Sequence, residues 1–423
     1  MSTTIDIDKL TLTADQEAAL VAFNLFLMDP VETVFVLSGY SGCGKSTLVR
    51  TLLDRLPSLQ KAHRLINPTV KDYPPELTAT TNKAAENLAQ ITGMSARTIH
   101  SYLGLRVQTD YRTNKTTLVP SNNFTMPEHV LLFIDEASFV DKELLGQIFN
   151  RTRNCKVVFI GDPAQLAPVA SVGTPVFDAG FTGAALTQVV RQPDGETNPI
   201  TTLSTSFRNT VNTGEWTPFT PDGHHVRHLS RDDFNAAIEA EFTRPDWKHS
   251  DSKVLAWTNK CVIGYNQFVR NLAKGDPHFQ VGDYAVCNSY LQVGKHSIKT
   301  DQLVQITGIG DDEERHGVLG NMMTMDYVVH AFQPKSLAAA RERVKQARAR
   351  DEIGVVSNIE TSWVDLRGAF ACTINKAQGS TYGSVYIDLA DVGRCNSGDQ
   401  LARMLYVGVS RARNHVYLTG DLA

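Results

Sequence analysis

The sequence lacks long apolar runs and paired cysteines, and each absence argues against a class of protein. No apolar stretch approaches the roughly 18 residues that a membrane-spanning helix needs. Residues 1–6 do not show the basic and then apolar arrangement of a signal peptide. The six cysteines are scattered without a C-x-x-C pair, which argues against a zinc site and a disulfide scaffold. We therefore expect a cytoplasmic protein that does not associate with membranes.

An excess of positive charge is also absent. The formal net charge is −4, so any affinity for nucleic acid has to come from a local groove and not from bulk charge. With 42% hydrophobic and 20% charged residues, the composition is that of a globular protein and not of a disordered one. A chain of 423 residues is long for one hydrophobic core, which predicts two or three domains.

A phosphate-binding loop is the clearest feature that the sequence does contain. Residues 39–46 fit G-x-x-x-x-G-K-[ST], after an apolar strand and before an amphipathic helix. The glycines let backbone N–H groups surround phosphates, Lys45 brings positive charge to the outer phosphates, and Ser46 offers a hydroxyl to Mg²⁺. The motif predicts that the chain binds ATP with Mg²⁺. The predicted contacts are Gly42, Cys43, Gly44, Lys45, Ser46 and Thr47.

Two further strand ends carry polar groups suited to nucleotide hydrolysis. An apolar strand at 130–134 ends in Asp135 and Glu136, and we assign Asp135 to Mg²⁺ and Glu136 to the attacking water. Another apolar strand ends before a segment that contains Gln165, and ligands gather at this edge of open α/β sheets. A solvated strand end is the alternative for each, and for Gln165 the two interpretations are equally open.

The order of apolar and polar segments predicts two α/β cores with two insertions. Strands and helices alternate up to about residue 185, and the pattern then begins again without a second phosphate-binding loop. The predicted division is a first core at 1–104 and 122–185, an inserted β-hairpin at 105–121, a second core at 186–276 and 359–423, and a β-rich insertion at 277–358.

A basic helix is predicted within the β-rich insertion. Residues 335–350 include five arginine or lysine side chains between 341 and 350 and a single acid, Glu342. Such a segment is either a solvated helical face or a surface that contacts nucleic-acid phosphates. The sequence leaves both interpretations open.

Eight motifs in a fixed order resemble those of the superfamily 1 helicases, and the RecD-like branch fits best. They are 12–16, 39–46, 79–85, 98–100, 135–136, 161–169, 371–379 and 406–413. Within this branch, the segments 186–191 and 257–260 resemble the Dda-type helicases of tailed phages. The resemblance implies two RecA-like parallel-sheet cores with an inserted β-hairpin that acts as a pin, and a small SH3-like β-rich accessory domain.

The resemblance also implies roles around the nucleotide. Gln16 would read the adenine edge and Gln165 would sense the γ-phosphate. Arg191 and Arg411 would act as arginine fingers from the second core, and Gly379 would contact the nucleotide. Because such a site is complete only when both cores meet, domain closure would depend on ATP. For Arg191 a surface ion pair is the alternative.

A nucleic-acid path across both cores is implied as well. The matching positions are Thr81, Asn82, Lys83, His100, Thr373, Asn375 and Lys376. Each of them could instead be a local cap or turn residue, and His100 could be a core histidine. Asn375 stands where the family usually has histidine, so its stacking surface is lost. Tyr111 would lie near the tip of the pin.

Together these features predict a monomeric ATP-dependent DNA helicase of replication or recombination that moves 5′ to 3′ on single-stranded DNA and opens duplex at junctions. A single-strand-binding protein or replication proteins are possible partners, and a phage origin would place the chain in the host cytoplasm. Two alternatives remain: a translocase that displaces proteins, remodels junctions or acts on RNA, and a small-molecule P-loop phosphotransferase.

Overall fold

The computed structural model describes residues 12–110, 115–121, 124–167, 173–190, 197–276 and 278–422. The predicted finger Arg191 and the predicted pin residue Tyr111 lie outside these described residues. Within them, strands form two parallel sheets, one antiparallel sheet and two separate hairpins. None of the helices in the described ranges is long and apolar enough to span a membrane.

The elements are numbered in chain order. The strands are β1 (Val34–Gly39), β2 (Pro75–Ala79), β3 (Ala96–Thr98), β4 (Leu105–Asp110), β5 (Lys115–Pro120), β6 (Leu131–Asp135), β7 (Lys156–Gly161), β8 (Gly183–Leu186), β9 (Val226–Leu229), β10 (Ser252–Ala256), β11 (Tyr284–Cys287), β12 (Leu291–Val293), β13 (His296–Ile298), β14 (Leu303–Arg315), β15 (Val318–Met325), β16 (Val329–Pro334), β17 (Leu366–Gly368), β18 (Ala371–Thr373), β19 (Tyr382–Asp388) and β20 (Ala412–Thr419). The helices are α1 (Ala14–Met28), α2 (Lys45–Ile66), α3 (Asn82–Thr92), α4 (Ile99–Tyr102), α5 (Lys142–Asn150), α6 (Pro175–Asp178), α7 (Pro199–Thr213), α8 (Arg231–Phe242), α9 (Asn259–Lys274), α10 (Leu337–Ala349), α11 (Ile353–Ser362), α12 (Ile374–Ala377), α13 (Leu389–Val392) and α14 (Gly398–Ser410).

The first core is a six-stranded sheet with the order β3-β2-β6-β7-β1-β8, and all of its pairs are parallel. Helices cover both faces, so the central strands β1, β6 and β7 are apolar along most of their length and buried. Lys156 is buried at the start of β7. Its ammonium donates to the carbonyls of Phe26, Asp29 and Glu32 at 2.7–2.8 Å, which ties the end of α1 to the sheet.

The second core is a five-stranded parallel sheet with the order β18-β10-β19-β20-β9. Helix α14 packs against it and is buried along most of its length. Ala164 and Leu166, which follow β7 of the first core, are buried in the same apolar cluster as residues of α14. The two cores therefore share apolar contacts, and the predicted pair of parallel-sheet cores is confirmed.

The β-rich insertion is an antiparallel sheet with the order β16-β15-β14-β11-β17, accompanied by the hairpin of β12 and β13. Its last strand, β17 at Leu366–Gly368, pairs with β11 although residues after 358 were expected in the second core. A three-residue strand shows no periodicity that could reveal its sheet. The basic helix α10 buries Ala340, Val344 and Ala347, and Arg343 and Arg348 pair with acids of the segment that follows.

The inserted hairpin is formed by β4 and β5, which pair from Leu105 with Pro120 to Asp110 with Lys115. It follows α4 directly, so the position of α4 on the first core sets where the hairpin leaves the sheet. Its role as a pin stays a prediction.

Candidate functional site between the two cores

The phosphate-binding loop connects β1 to α2. Gly42 and Gly44 have φ angles of +87° and +79°, which side chains other than glycine rarely adopt. A Cβ on Gly44 would also lie 2.6 Å from the amide nitrogen of Gln16. The loop therefore requires glycine at these positions. It leads directly into α2, so the unpaired N–H groups of the first turn of α2 can bind phosphate together.

Lys45 and Cys43 fix the loop from within. The Lys45 ammonium donates to the carbonyls of Gly39 at 2.6 Å and Tyr40 at 3.0 Å, so it lies across the loop. The Cys43 thiol donates to the Tyr40 carbonyl at 2.8 Å, and burial raises the pKa of that thiol. Residues 42 and 44–47 line a cavity that opens between the cores. The geometry suits a triphosphate that is bound in this cavity beside the Lys45 ammonium.

Asp135 and Glu136 stand at the carboxyl end of β6. The Glu136 N–H donates to Asp135 Oδ1 at 2.8 Å, and Glu136 has a φ of +54°. Burial and the neighbouring Glu136 raise the pKa of Asp135 to about 7. A half-buried carboxyl group that lines the cavity fits a cation site, and with the Ser46 hydroxyl it supplies the oxygen ligands that Mg²⁺ prefers.

Arg411, at the end of α14, reaches the phosphate-binding loop from the second core. It is 2% exposed, and burial lowers the pKa of its guanidinium. Its Nη2 donates to Ser41 Oγ at 2.8 Å, and its Nη1 donates to the Ser380 carbonyl at 3.3 Å. The structure thus brings an arginine of one core to the nucleotide loop of the other.

Tyr406 makes a second contact between the cores, and sequence reasoning did not assign it a role. Its hydroxyl accepts the Ser41 N–H at 2.9 Å and donates to Asp162 Oδ2 at 2.5 Å. Burial and Asp162 raise the pKa of this hydroxyl. Its place in the 406–413 motif was the signal available in the sequence, but only the fold shows that the side chain points across the cleft.

Gln378 is a third such residue. Its Nε2 donates to Gln165 Oε1 at 2.8 Å and lies 3.1 Å from Glu136 Oε2. The next residue, Gly379, has a φ of +74°, and its carbonyl accepts the side-chain amide of Asn87 at 2.8 Å. The predicted nucleotide contact Gly379 therefore meets helix α3 of the first core at the rim of the cavity.

Gln16 and Gln165 are both buried. Gln16 Oε1 accepts the Thr13 N–H at 3.0 Å and its Nε2 donates to the Cys43 carbonyl at 3.3 Å, so it caps α1 against the phosphate-binding loop. Gln165 Nε2 lies 3.5 Å from Asp162 Oδ2 while its oxygen accepts from Gln378. Both side chains border the nucleotide site, and their proposed contacts with ATP stay predictions.

Two of the predicted nucleic-acid residues are helix caps. Thr81 Oγ accepts the Ala84 N–H at 3.1 Å at the start of α3, and Thr373 Oγ accepts the Lys376 N–H at 3.4 Å at the start of α12. A capping hydroxyl keeps a fixed position, and it leaves the N-terminus of its helix facing the cleft. His100 is half-buried within α4, and burial lowers its pKa.

The predicted nucleic-acid lysines join separate parts of the molecule. Lys83 donates to Ser380 Oγ of the second core, and burial lowers its pKa. Lys376 lies 2.6 Å from Asp301 Oδ1 of the β-rich insertion, and it ties that insertion to the second core. Asn82 is half-buried beside Lys83, whereas Asn375 is exposed.

One cavity connects these two groups of residues. It has a volume of about 1150 Å³ and lies between the two cores and the β-rich insertion. Buried Lys253 lines it as well, and burial lowers the pKa of Lys253 to about 8. The phosphate-binding loop thus faces the same space as Asn82, Lys83, Thr373 and Lys376 of the predicted nucleic-acid path, whereas Thr81, His100 and Asn375 do not line it. Its cationic side chains are Lys45, Lys83, Lys253, Lys299, Arg367, Lys376, Arg411 and Arg413.

Comparisons with known proteins agree with this arrangement. A family described as AAA domain matches residues 11–212, and a UvrD-like helicase C-terminal domain matches residues 368–419. The ATP-dependent DNA helicase Dda of Enterobacteria phage T4 is 28% identical over 441 aligned residues, which cover 90% of this chain and 93% of Dda. The RecD2 DNA helicase of Deinococcus radiodurans is 32% identical over 168 residues, 39% of this chain and 20% of RecD2.

A solved structure shows the same fold along almost the whole chain. In a study of DNA unwinding at forked duplex DNA by Pif1 helicases, the Pif1 chain is 17% identical, with a TM-score of 0.54 and coverage of 98% of this chain and 93% of Pif1. The fold, the motif order and the sequence relatives agree with one another. The family models and the sequence relatives support the resemblance to superfamily 1 helicases, and Dda and RecD2 are among the proteins to which the chain is similar.

Proposed function

We propose that this protein is an ATP-dependent DNA helicase that moves 5′ to 3′ along single-stranded DNA and separates duplex at junctions. The observation that carries the proposal is the bond between Arg411 and Ser41, because it joins the second core to the phosphate-binding loop of the first. A nucleotide site completed by two cores makes their separation depend on the state of the nucleotide.

The proposed roles of the residues follow from their positions. Lys45 and the N-terminus of α2 hold the phosphates, and Arg411 stabilises the charge that develops on the transferred phosphoryl group. Glu136 orients the attacking water, and Gln165 responds to the γ-phosphate. Ser46 and Asp135 would hold Mg²⁺, which spreads the charge of the β- and γ-phosphates when it is bound. Arg191 would be a second finger from the second core.

DNA is proposed to cross the cavity that both cores share. Backbone phosphates would meet the cationic side chains and the N-termini of α3 and α12, with little preference for sequence. Separating one base-pair step costs about 1.4 kcal/mol of stacking on average, which is small beside the free energy of ATP hydrolysis. One step per ATP is therefore energetically feasible. A protein with this role acts in the compartment that holds the DNA, and we propose the cytoplasm, that of the host if the chain is phage-encoded.

Lys45→Ala tests the nucleotide site. We expect this variant to lose the ATPase activity that single-stranded DNA stimulates in the wild type, with unchanged folding by circular dichroism. Lys61→Ala, a change in the exposed part of α2, is the control and should keep its activity. Full turnover by Lys45→Ala would refute the site.

Strand-separation assays test the direction and the substrate. DNA duplexes with a 5′ tail should be opened and those with a 3′ tail should not, and matched RNA substrates should be opened poorly. ATP hydrolysis without strand separation, together with removal of a protein block from single-stranded DNA, would favour the translocase alternative. Opening of 3′-tailed duplex would overturn the proposed polarity. Single-strand-binding or replication proteins are the proposed partners, and a monomer is the proposed active form.

A further inference from the structure

Gln378 carries a buried polar atom beside Glu136 and Gln165 that the roles above do not use. The side chain is 7% exposed, and its Oε1 has no hydrogen-bond partner among the described residues. Its Nε2 faces Gln165 Oε1 and Glu136 Oε2. The oxygens of Glu136 act as acceptors toward an amide, so the nitrogen must face that residue and the oxygen is the atom left over.

An unpaired carbonyl oxygen in a buried place is costly, at about 1–3 kcal/mol. Such atoms are usually paired with an ordered water or a ligand. Here the neighbours are the glutamate proposed to orient the attacking water and the glutamine proposed to respond to the γ-phosphate. A water bound by Oε1 next to these side chains would satisfy the orphan oxygen and lie beside the glutamate that hydrolysis needs.

We propose that Gln378 is a catalytic residue of the second core whose Oε1 accepts a hydrogen bond from the attacking water. The inference rests on the proposed ATPase function of this site. In the step, the water oxygen bonds to the γ-phosphorus and the bond to the β-phosphate oxygen breaks, which releases ADP. One hydrogen of the water passes to Glu136. The other, whose hydrogen bond Gln378 Oε1 accepts before the step, stays on the new phosphate oxygen.

This position also provides a path by which DNA stimulates hydrolysis. Gln378 is the sixth residue of a seven-residue segment, 373–379, that contains Thr373 and Lys376 of the predicted nucleic-acid path. A contact that shifts this short segment moves the amide that orients the water. ATP would then be hydrolysed fastest when DNA holds the segment in its closed position.

Gln378→Met tests the proposal, because methionine keeps the length of the side chain and removes both polar atoms. We expect kcat of the DNA-stimulated ATPase to fall about 100-fold, with little change in the affinity for a nonhydrolysable ATP analogue or for single-stranded DNA. The affinity for ADP with aluminium fluoride, which mimics the transition state, should fall by a similar factor. Thermal unfolding of the variant shows whether it still folds, and Gln378→Asn is the second variant if it does not.

Gln60→Met is the matched control, because it makes the same substitution at a half-buried glutamine whose amide donates to the Tyr73 carbonyl within the first core and does not contact Glu136. It should leave the affinity for the transition-state mimic nearly unchanged. Normal kcat in Gln378→Met would overturn the inference, as would an equal loss of affinity for the ATP analogue and for the transition-state mimic. If the wild type itself shows no ATPase activity with DNA, the proposed function fails and not this inference alone.

A second observation concerns the loop before β9, whose residues do not line the cavity between the cores. Asp222, His224 and His225 direct ligand atoms toward one another: His225 Nδ1 is 3.1 Å from Asp222 Oδ2 and 3.3 Å from His224 Nδ1. The Asp222 carboxylate also accepts the N–H groups of residues 224–226, which holds the loop in this shape.

Hydrogen bonds alone do not account well for this cluster. His225 Nδ1 carries at most one hydrogen, which cannot point at both of its neighbours. These two separations are close to the ~3.3 Å expected between ligands of a tetrahedral ion with bonds of about 2.0–2.1 Å, and the three ligand atoms all lie within 4.8 Å of one another. The geometry points to a site for a divalent transition-metal ion such as Zn²⁺, with a solvent position open because Asp222 and His224 are exposed. Bound metal would fasten this loop beside the edge strand β9.

Titration calorimetry of the full chain with ZnCl₂ tests this site. We expect one saturable site per chain, a visible d–d absorption band with Co²⁺, and a higher melting temperature with metal. The double change His224→Ala and His225→Ala should abolish all three, and His330→Ala in β16 should not. Absence of binding by the wild type, or binding that survives the double change, would show that the cluster is hydrogen-bonded only.

Discussion

Removal of the Tyr406 hydroxyl should weaken the contact between the two cores. In Tyr406→Phe the ring can stay in its buried place, but the Ser41 N–H loses its acceptor and Asp162 loses a donor at 2.5 Å. A bond to a carboxylate contributes about 1.5–3 kcal/mol and a neutral bond about 0.5–1.5 kcal/mol. Both bonds exist only while the cores are together. The closed state should therefore lose about 2–4 kcal/mol, which is roughly a 30- to 1,000-fold change in the closure equilibrium.

Energy transfer between fluorophores attached to α5 of the first core and α8 of the second measures this equilibrium. Tyr406→Phe should show a larger open fraction without nucleotide, and a weaker response to a nonhydrolysable ATP analogue. Tyr386→Phe is the control, because the Tyr386 hydroxyl bonds to the Ala237 carbonyl within its own core. An unchanged open fraction in Tyr406→Phe would refute the reasoning, and so would an equal effect of the control.

The structure supports three more predictions. Lys156→Met should lower the free energy of unfolding by about 2–4 kcal/mol in urea, because three backbone carbonyls, those of Phe26, Asp29 and Glu32, lose their donor; a change near zero would contradict the role of this ammonium. Asp301→Asn releases Lys376 from its ion pair, and anisotropy should then show tighter, more salt-dependent binding of single-stranded DNA; unchanged affinity would mean that Lys376 only fastens the β-rich insertion. Arg411→Ala should bind ATP almost normally in an equilibrium titration, yet its ATP turnover rate should fall by at least about 100-fold. A wild-type turnover rate would show that Arg411 has no role in hydrolysis.

The nucleotide site could be predicted largely from the sequence because its parts are local. The phosphate-binding loop needs consecutive glycines, a lysine and a hydroxyl residue between a strand and a helix, and all of these lie within one short segment. The pair Asp135 and Glu136 likewise ends a single strand. The two parallel-sheet cores followed from repeated alternation of apolar strands and helices. The roles of these residues toward ATP and DNA stay predictions.

The parts that sequence reasoning missed depend on contacts between distant residues. Gln378 meets Glu136, 242 positions away, and Tyr406 meets Ser41, 365 positions away. No spacing rule reports such pairs, because they form only when the cores pack together. The same holds for β17, whose three residues join the antiparallel sheet through pairing with β11.

The sequence by itself determined a phosphate-binding loop, a pair of acids at the end of one strand, and two cores in a familiar order of motifs, and it predicted the roles of those acids toward a metal and a water. Only the tertiary structure decided how the cores meet, which side chains cross the cleft, and which lysines hold the parts together. The physical reason is that backbone propensity and local motifs act over a few residues, whereas the shape of the cleft results from packing of whole sheets and helices.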